Sequence, residues 1–440
     1  MFLLKLLRFY PSPRHLSRLL CRSSMNPSDR GYCLEAPPCI EGFALAPFTS
    51  LEETFRENFE MSWESAGAAF AVYHKGELVV DLYAGYTDDE RNSRWSQSTM
   101  THVFSITKSL SAIVLAMLID KGRASYDDLV CQHWPEFAQN GKAGITIKQI
   151  TQHEAGIPYG NEVFTVEDVL DPSKMSRKLE RMTPIWVPGM KCGYHALTFG
   201  FLIDQIVRRI DHKKRGVVEF FREEITNKHG VKDVFIGLAD DQLNNRVAKV
   251  VEATDEQLLE EGRRNPEALR RFAFYNNEHW LRLYENWPWI RIPDYNKLEN
   301  RRLPMLSNMG IGSARGVARV HALIAEGKLL SAKFLETIDQ PQLINQHDIV
   351  NGYPESKGFG WQYTKNKLVI LLSSFAATNI FDAFRFLKLL SMKNCCLDLS
   401  SYSYSKLYQT FSSPFPAILV ATCTRPSLLQ HCTRYRWPNH

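Results

Sequence analysis

From Leu110 to Ile119 the chain reads Leu-Ser-Ala-Ile-Val-Leu-Ala-Met-Leu-Ile, an uncharged run in which Ser111 is the lone polar side chain. A helix that is apolar on nearly every side has no face to turn to water, so it must be covered all round. Gly122 follows at the place where helices commonly end in a left-handed residue. The fold therefore has to be layered, with this helix in the middle and other elements packed against each side of it.

Directly before the run stands Ser105-Ile106-Thr107-Lys108. Residues i and i+3 share a helical face, which sets the Lys108 amine beside the Ser105 hydroxyl, where it can help to deprotonate it. A serine at the mouth of a helix also meets unpaired backbone N–H groups and the positive dipole end, which favour an oxyanion formed on attack at a carbonyl. The tetrapeptide alone is a weak signal, expected about once or twice by chance in a chain of this kind. Ser403-Tyr404-Ser405-Lys406 matches it too, in a Ser/Tyr-rich stretch with no apolar helix behind it, and reads as a coincidence.

Around this centre the sequence predicts a helix near Leu51 to Glu60 and a β-hairpin of Ala68–Tyr73 and Leu78–Tyr83 joined at His74-Lys75-Gly76. From Tyr126 to Leu330 helical periodicity dominates, with a short capped helix at Ile145 to Ile150, an amphipathic one over Leu197 to Ile210, and a charged, solvated helix over Asp255 to Arg271. Trp186-Val187-Pro188-Gly189 leads to Tyr194-His195-Ala196 at the head of the Leu197 helix. A tyrosine there is either a packed core residue or, with its proton labilised by Lys108, a general base that passes a proton to a leaving group.

Four segments taken together resemble the serine β-lactamase-like family, which holds penicillin-binding proteins, class C β-lactamases, serine esterases and an animal mitochondrial member. They are Phe104 to Ser109, Ile145-Thr146-Ile147 with Gln152 to Pro158, Pro188-Gly189 before Tyr194, and Ser307 to Arg315, in the family's order between about Phe43 and Tyr363. The resemblance implies an α/β (α+β) fold: an antiparallel sheet flanked by helices, with an inserted mainly helical domain at about 123–320 of a 43–367 unit. It implies acyl transfer on an amide or ester of a small molecule or peptide, with Ser105 as nucleophile and Lys108 and Tyr194 moving protons. No cofactor is implied. A family member without catalysis, acting as a scaffold or self-assembling into a homo-oligomer, is the alternative.

The sequence departs from the family pattern twice. The tyrosine motif usually carries Asn or Ser where this chain has Ala196, which favours an esterase or peptidase over a lactamase; His195 is then the candidate substrate contact. A Lys- or His-x-Gly motif should follow Phe359 to Tyr363 at short distance, and none does. The chain has 24 glycines, yet none beyond Gly360. The 368–440 tail, Ser-, Leu- and Cys-rich and basic, is accordingly expected to be disordered and the C-terminal sheet incomplete, as in a truncated isoform or an altered reading of the gene.

The remaining composition excludes more than it assigns. A formal charge of +5 on 440 residues gives no case for a nucleic-acid partner. No apolar stretch approaches the roughly 18 residues of a membrane span. Nine cysteines without Cys-x-x-Cys spacing argue for reduced thiols, and His153-Glu154 is followed by Ile157 where a zinc motif needs histidine, so no metal is implied. Residues 1–30 carry Lys5, Arg8, Arg14, Arg18 and Arg22 with scarcely an acidic residue, the pattern of a mitochondrial transit peptide. The alternative is a basic extension before Met25 on a cytoplasmic protein.

Overall fold

The computed structural model describes residues 38–61, 64, 66–88, 90, 93–251, 263 and 277–363, and the course of the chain over 417–423. The 1–30 leader, the 255–271 helix apart from Arg263, the second Ser-x-x-Lys at Ser403, and all of the 368–440 tail except 417–423 lie outside these residues.

Strand β1 (Glu41–Ala44) and helix α1 (Ser50–Glu60) lead into β2 (Gly67–His74) and β3 (Glu77–Gly85). The last two are the expected hairpin, turning at Lys75-Gly76, both left-handed. β2 is apolar at consecutive positions because both of its faces are covered. Ala68, Phe70 and Val72 pack with Leu51, Phe55 and Phe59 of α1. Ala69 and Ala71 pack instead with Ala314 and Ala318, small residues that admit a helix close to the sheet.

The centre of the molecule starts at β4 (Thr101–Phe104), followed by α2 (Thr107–Asp120), α3 (Ile147–Thr151) and α4 (Thr198–Ile210). As the apolar run demanded, every residue of α2 from Thr107 to Leu118 is buried. The helix ends as foreseen, with Gly122 in the left-handed region and its N–H on Ile119 O. α3 is capped by Thr146, whose hydroxyl accepts from Gln149 N while the Gln149 side chain returns to the Thr146 amide. Gly200 lets α4 approach the chain at Leu306, since a Cβ there would stand 2.4 Å from the Leu306 carbonyl carbon.

The region expected to be mainly helical also contributes two short strands, β5 (Val234–Ile236) and β6 (Gly310–Gly312), before α5 (Ala314–Ala325). They form an antiparallel sheet in the order β4-β6-β5. Three residues are too few to show a period of two, which is why periodicity missed them. A third sheet, β7 (Leu343–His347), β8 (Pro354–Gly358) and β9 (Trp361–Tyr363), is antiparallel throughout.

The first sheet has the order β1-β3-β2-β10, where β10 is Ala417–Cys423. β10 runs parallel to β2, with Ala417 opposite Ala68 and Cys423 opposite His74. It is thus a strand within the tail for which the sequence reading foresaw none, beside an otherwise antiparallel set. Among the described residues no helix is long and apolar enough to cross a membrane.

Candidate active site

Ser105 sits where β4 gives way to α2, and the backbone makes that change abruptly. Phe104 is left-handed at φ +42°, an uncommon state for a bulky residue, and the β4–β6 register slips between His102 and Phe104. Thr107 holds the turn: its hydroxyl donates to Phe104 O and accepts from Gly310 N at 2.8 Å. Lys108 N donates to Ser105 O at 3.0 Å, so Ser105 and Lys108 share one turn at the helix mouth.

Lys108 is buried, and its Nζ lies 3.3 Å from Ser105 Oγ. It donates to two main-chain carbonyls, Ala196 O at 2.7 Å and Ser307 O at 3.0 Å. The second carbonyl is placed by the close approach of α4, because Ser307 Oγ accepts from Gly200 N and donates to Leu197 O, both at 2.8 Å. Burial pushes the Lys108 pKa well below the usual lysine range. A neutral amine has two N–H donors and one lone pair, so two carbonyls and one hydroxyl satisfy it fully.

Tyr194 completes the cluster, its hydroxyl donating to Ser105 Oγ at 2.7 Å. Its ring lies under Lys108 Nζ, 4.7 Å from the centroid, and is flanked by His153 at 5.0 Å between ring centres. Ser105 and Tyr194 are partly accessible, whereas Lys108 is not. The structure therefore brings together the three residues that the sequence singled out for catalysis, around one oxygen.

His195 is a correction. Its ring is fully buried, and both nitrogens are spent on the main chain: Nε2 accepts from Ile157 N at 3.1 Å and Nδ1 donates to Gly193 O at 2.7 Å. It ties the chain at Ile157 to the Gly193 turn and has no ring nitrogen free to meet a substrate. Burial lowers its pKa to about 4, so it stays neutral. His153, from the segment after α3, is a second strut: it is left-handed at φ +64°, its Nδ1 accepts from His195 N at 3.1 Å, and its carbonyl accepts from Gly193 N at 3.0 Å.

Sequence reasoning missed Asp348, Glu355 and Lys357, which converge on the loop carrying Tyr194. Lys357 Nζ donates to Asp348 and, at 2.7 Å, pairs with Glu355. One signal was available, because in a strand Glu355 and Lys357 share a face and make an opposite-charge pair. The position of the third family motif, expected after Tyr363, lies outside the described residues.

Residues 55–381 match a family model described as Beta-lactamase. The esterase/beta-lactamase LipL of Mycobacterium tuberculosis is 31% identical over 261 residues, which cover 59% of this chain and 59% of that protein's length. Among solved structures, a family VIII carboxylesterase shares 28% identity at a TM-score of 0.65, covering 75% of this chain and 85% of its own. A penicillin-binding protein homologue from Caulobacter crescentus shares 28% at 0.62, covering 76% and 86%.

Proposed function

The chain belongs to the serine beta-lactamase-like family, and from that premise we propose that it is a serine hydrolase that acylates Ser105 with esters in preference to β-lactams. The carrying observation is the arrangement around Ser105 Oγ, with Lys108 Nζ at 3.3 Å and the Tyr194 hydroxyl at 2.7 Å. Neutral Lys108 accepts the Ser105 proton as Oγ adds to the substrate carbonyl. The backbone N–H of Ser105 at the mouth of α2 stabilises the oxyanion. As the tetrahedral adduct collapses, the C–O bond to the leaving alcohol breaks and the proton reaches that oxygen through Tyr194. Water then attacks the acyl-Ser105 ester by the reverse relay and releases the acid.

Two observations favour an ester. Ala196 has no side-chain amide to hold the amide group of a lactam-type substrate, and names of the similar proteins include an esterase/beta-lactamase and a carboxylesterase. The test is turnover of p-nitrophenyl acetate and butyrate against nitrocefin, by purified full-length protein and by Ser105→Ala. Ester turnover that vanishes in Ser105→Ala and exceeds nitrocefin turnover supports the reading; ester turnover that survives in Ser105→Ala sinks it.

A further inference from the structure

A buried charge cluster lies against the backbone of Tyr194 and has no part in the acyl-transfer scheme. Its members come from the loop carrying Tyr194 (Cys192), from the residue after β7 (Asp348) and from β8 (Glu355 and Lys357). The three ammonium protons of Lys357 are all engaged, by Asp348 Oδ2, by Glu355 Oε2 at 2.7 Å and by Cys192 Sγ at 3.4 Å. Asp348 Oδ1 accepts from three amides. Val350 N at 2.9 Å and Asn351 N at 2.8 Å close the turn after β7, and the third donor is Tyr194 N at 3.1 Å. Cys192 and Asp348 also form a parallel backbone bridge, with Ile349 N donating to Cys192 O at 3.0 Å.

Charges this deeply buried are costly, and an apolar pair of similar volume would usually hold two elements together as well. What an apolar pair cannot do is accept the Tyr194 N–H. Burial opposes the charge on Lys357, but the Glu355 and Asp348 carboxylates outweigh it and hold its pKa well above the usual range. The ammonium, in turn, keeps Asp348 ionised against burial.

We infer that Asp348, held in place by Lys357, is a positioning residue: its Oδ1 fixes the Tyr194 amide and thereby sets the Tyr194 hydroxyl on Ser105 Oγ. The hydroxyl lies at the far end of the side chain, so a small tilt of the Tyr194 backbone displaces it by much more than the backbone moves. A displacement of about 1 Å in a reacting group costs on the order of 10²-fold in rate. This inference rests on the acyl-transfer reading of Ser105.

The test compares two pairs of substitutions in the full chain, both made together with Glu355→Gln so that removing Lys357 strands no buried carboxylate. Asp348→Asn with Lys357→Met keeps an acceptor oxygen within reach of Tyr194 N and of the turn. Asp348→Ser with Lys357→Met keeps a hydroxyl that can cap Val350 and Asn351 but is too short to reach Tyr194 as well. The readouts are kcat and KM on ethyl butyrate, whose leaving ethanol needs the proton that Tyr194 delivers, with circular dichroism to establish folding and fluorophosphonate labelling to establish a competent Ser105 in the wild type. The expected result is a kcat on ethyl butyrate at least 30-fold higher in the Asn pair than in the Ser pair, with KM within about threefold. Equal rates in two folded variants overturn the inference. Should the Ser pair not fold, an Asn pair with kcat within tenfold of the wild type supports it, and one more than tenfold slower overturns it. A wild type that does not label overturns the acyl-transfer reading along with it, which separates the two failures.

Discussion

Lys108→Met removes the proposed base while keeping a side chain of nearly the same length and volume. Two carbonyls, Ala196 O and Ser307 O, lose donors at 2.7 and 3.0 Å. Each buried acceptor left without a partner costs about 1–3 kcal/mol. Against this, the wild type pays about 1–3 kcal/mol to bury the amine, a cost the thioether avoids. The expected net loss is about 1–3 kcal/mol, which leaves a folded protein to assay.

Loss of a general base should slow acylation about 10²–10⁴-fold, far beyond what that stability change explains. The pH dependence gives a second handle. Burial lowers the Lys108 pKa, so between the folded value and about 10.4 the unfolded chain binds a proton that the folded chain does not. Wild-type stability therefore rises with pH through that window relative to Lys108→Met. Wild-type acylation rises with pH through a midpoint well below the usual lysine range, a limb that the variant lacks. Fluorophosphonate labelling from pH 5 to 10, beside denaturant unfolding at the same pH values, measures both. Labelling of Lys108→Met within threefold of the wild type, or with the same limb, refutes Lys108 as the base.

Tyr194→Phe deletes one hydroxyl at 2.7 Å from Ser105 Oγ and leaves the ring packing, so kcat on ethyl butyrate, whose leaving alcohol must be protonated, should fall about 10²–10³-fold while unfolding changes by no more than about 1 kcal/mol. Burial pushes His102 to about 3 and His195 to about 4, both neutral in the fold. As pH falls below about 6.5 the unfolded chain protonates them first, so stability drops, by up to about 3 kcal/mol from His195 alone by pH 4; urea midpoints from pH 7 to 4 in wild type and His102→Phe should show a shallower slope in the variant. Gly360→Ala puts a Cβ 2.7 Å from Ala112 Cβ on α2 at a φ of +94°, and should cost more than about 2 kcal/mol by urea denaturation.

How far the sequence reached differs between helix, sheet and site. α2 was legible because complete apolarity leaves a helix one place to go, and the hairpin because Lys75-Gly76 separates two apolar runs. β5 and β6 were not, since a three-residue strand acquires its identity from the partner it pairs with. The meeting of Ser105, Lys108 and Tyr194 around one oxygen was legible through spacing and motif order. His195 was misread because adjacency to Tyr194 in sequence says nothing of which way a ring points; here it turns inward to Ile157 and Gly193. Asp348 and Lys357 were overlooked because their partners, Cys192 and the Tyr194 amide, are more than 150 residues away in the chain.

The central claim is that Ser105 is the nucleophile that becomes covalently modified. Purified protein incubated with a fluorophosphonate, digested and mapped by mass spectrometry should carry the adduct on the peptide containing Ser105, with Ser105→Ala unmodified. An adduct at another residue, or none on protein shown to be folded, would contradict it.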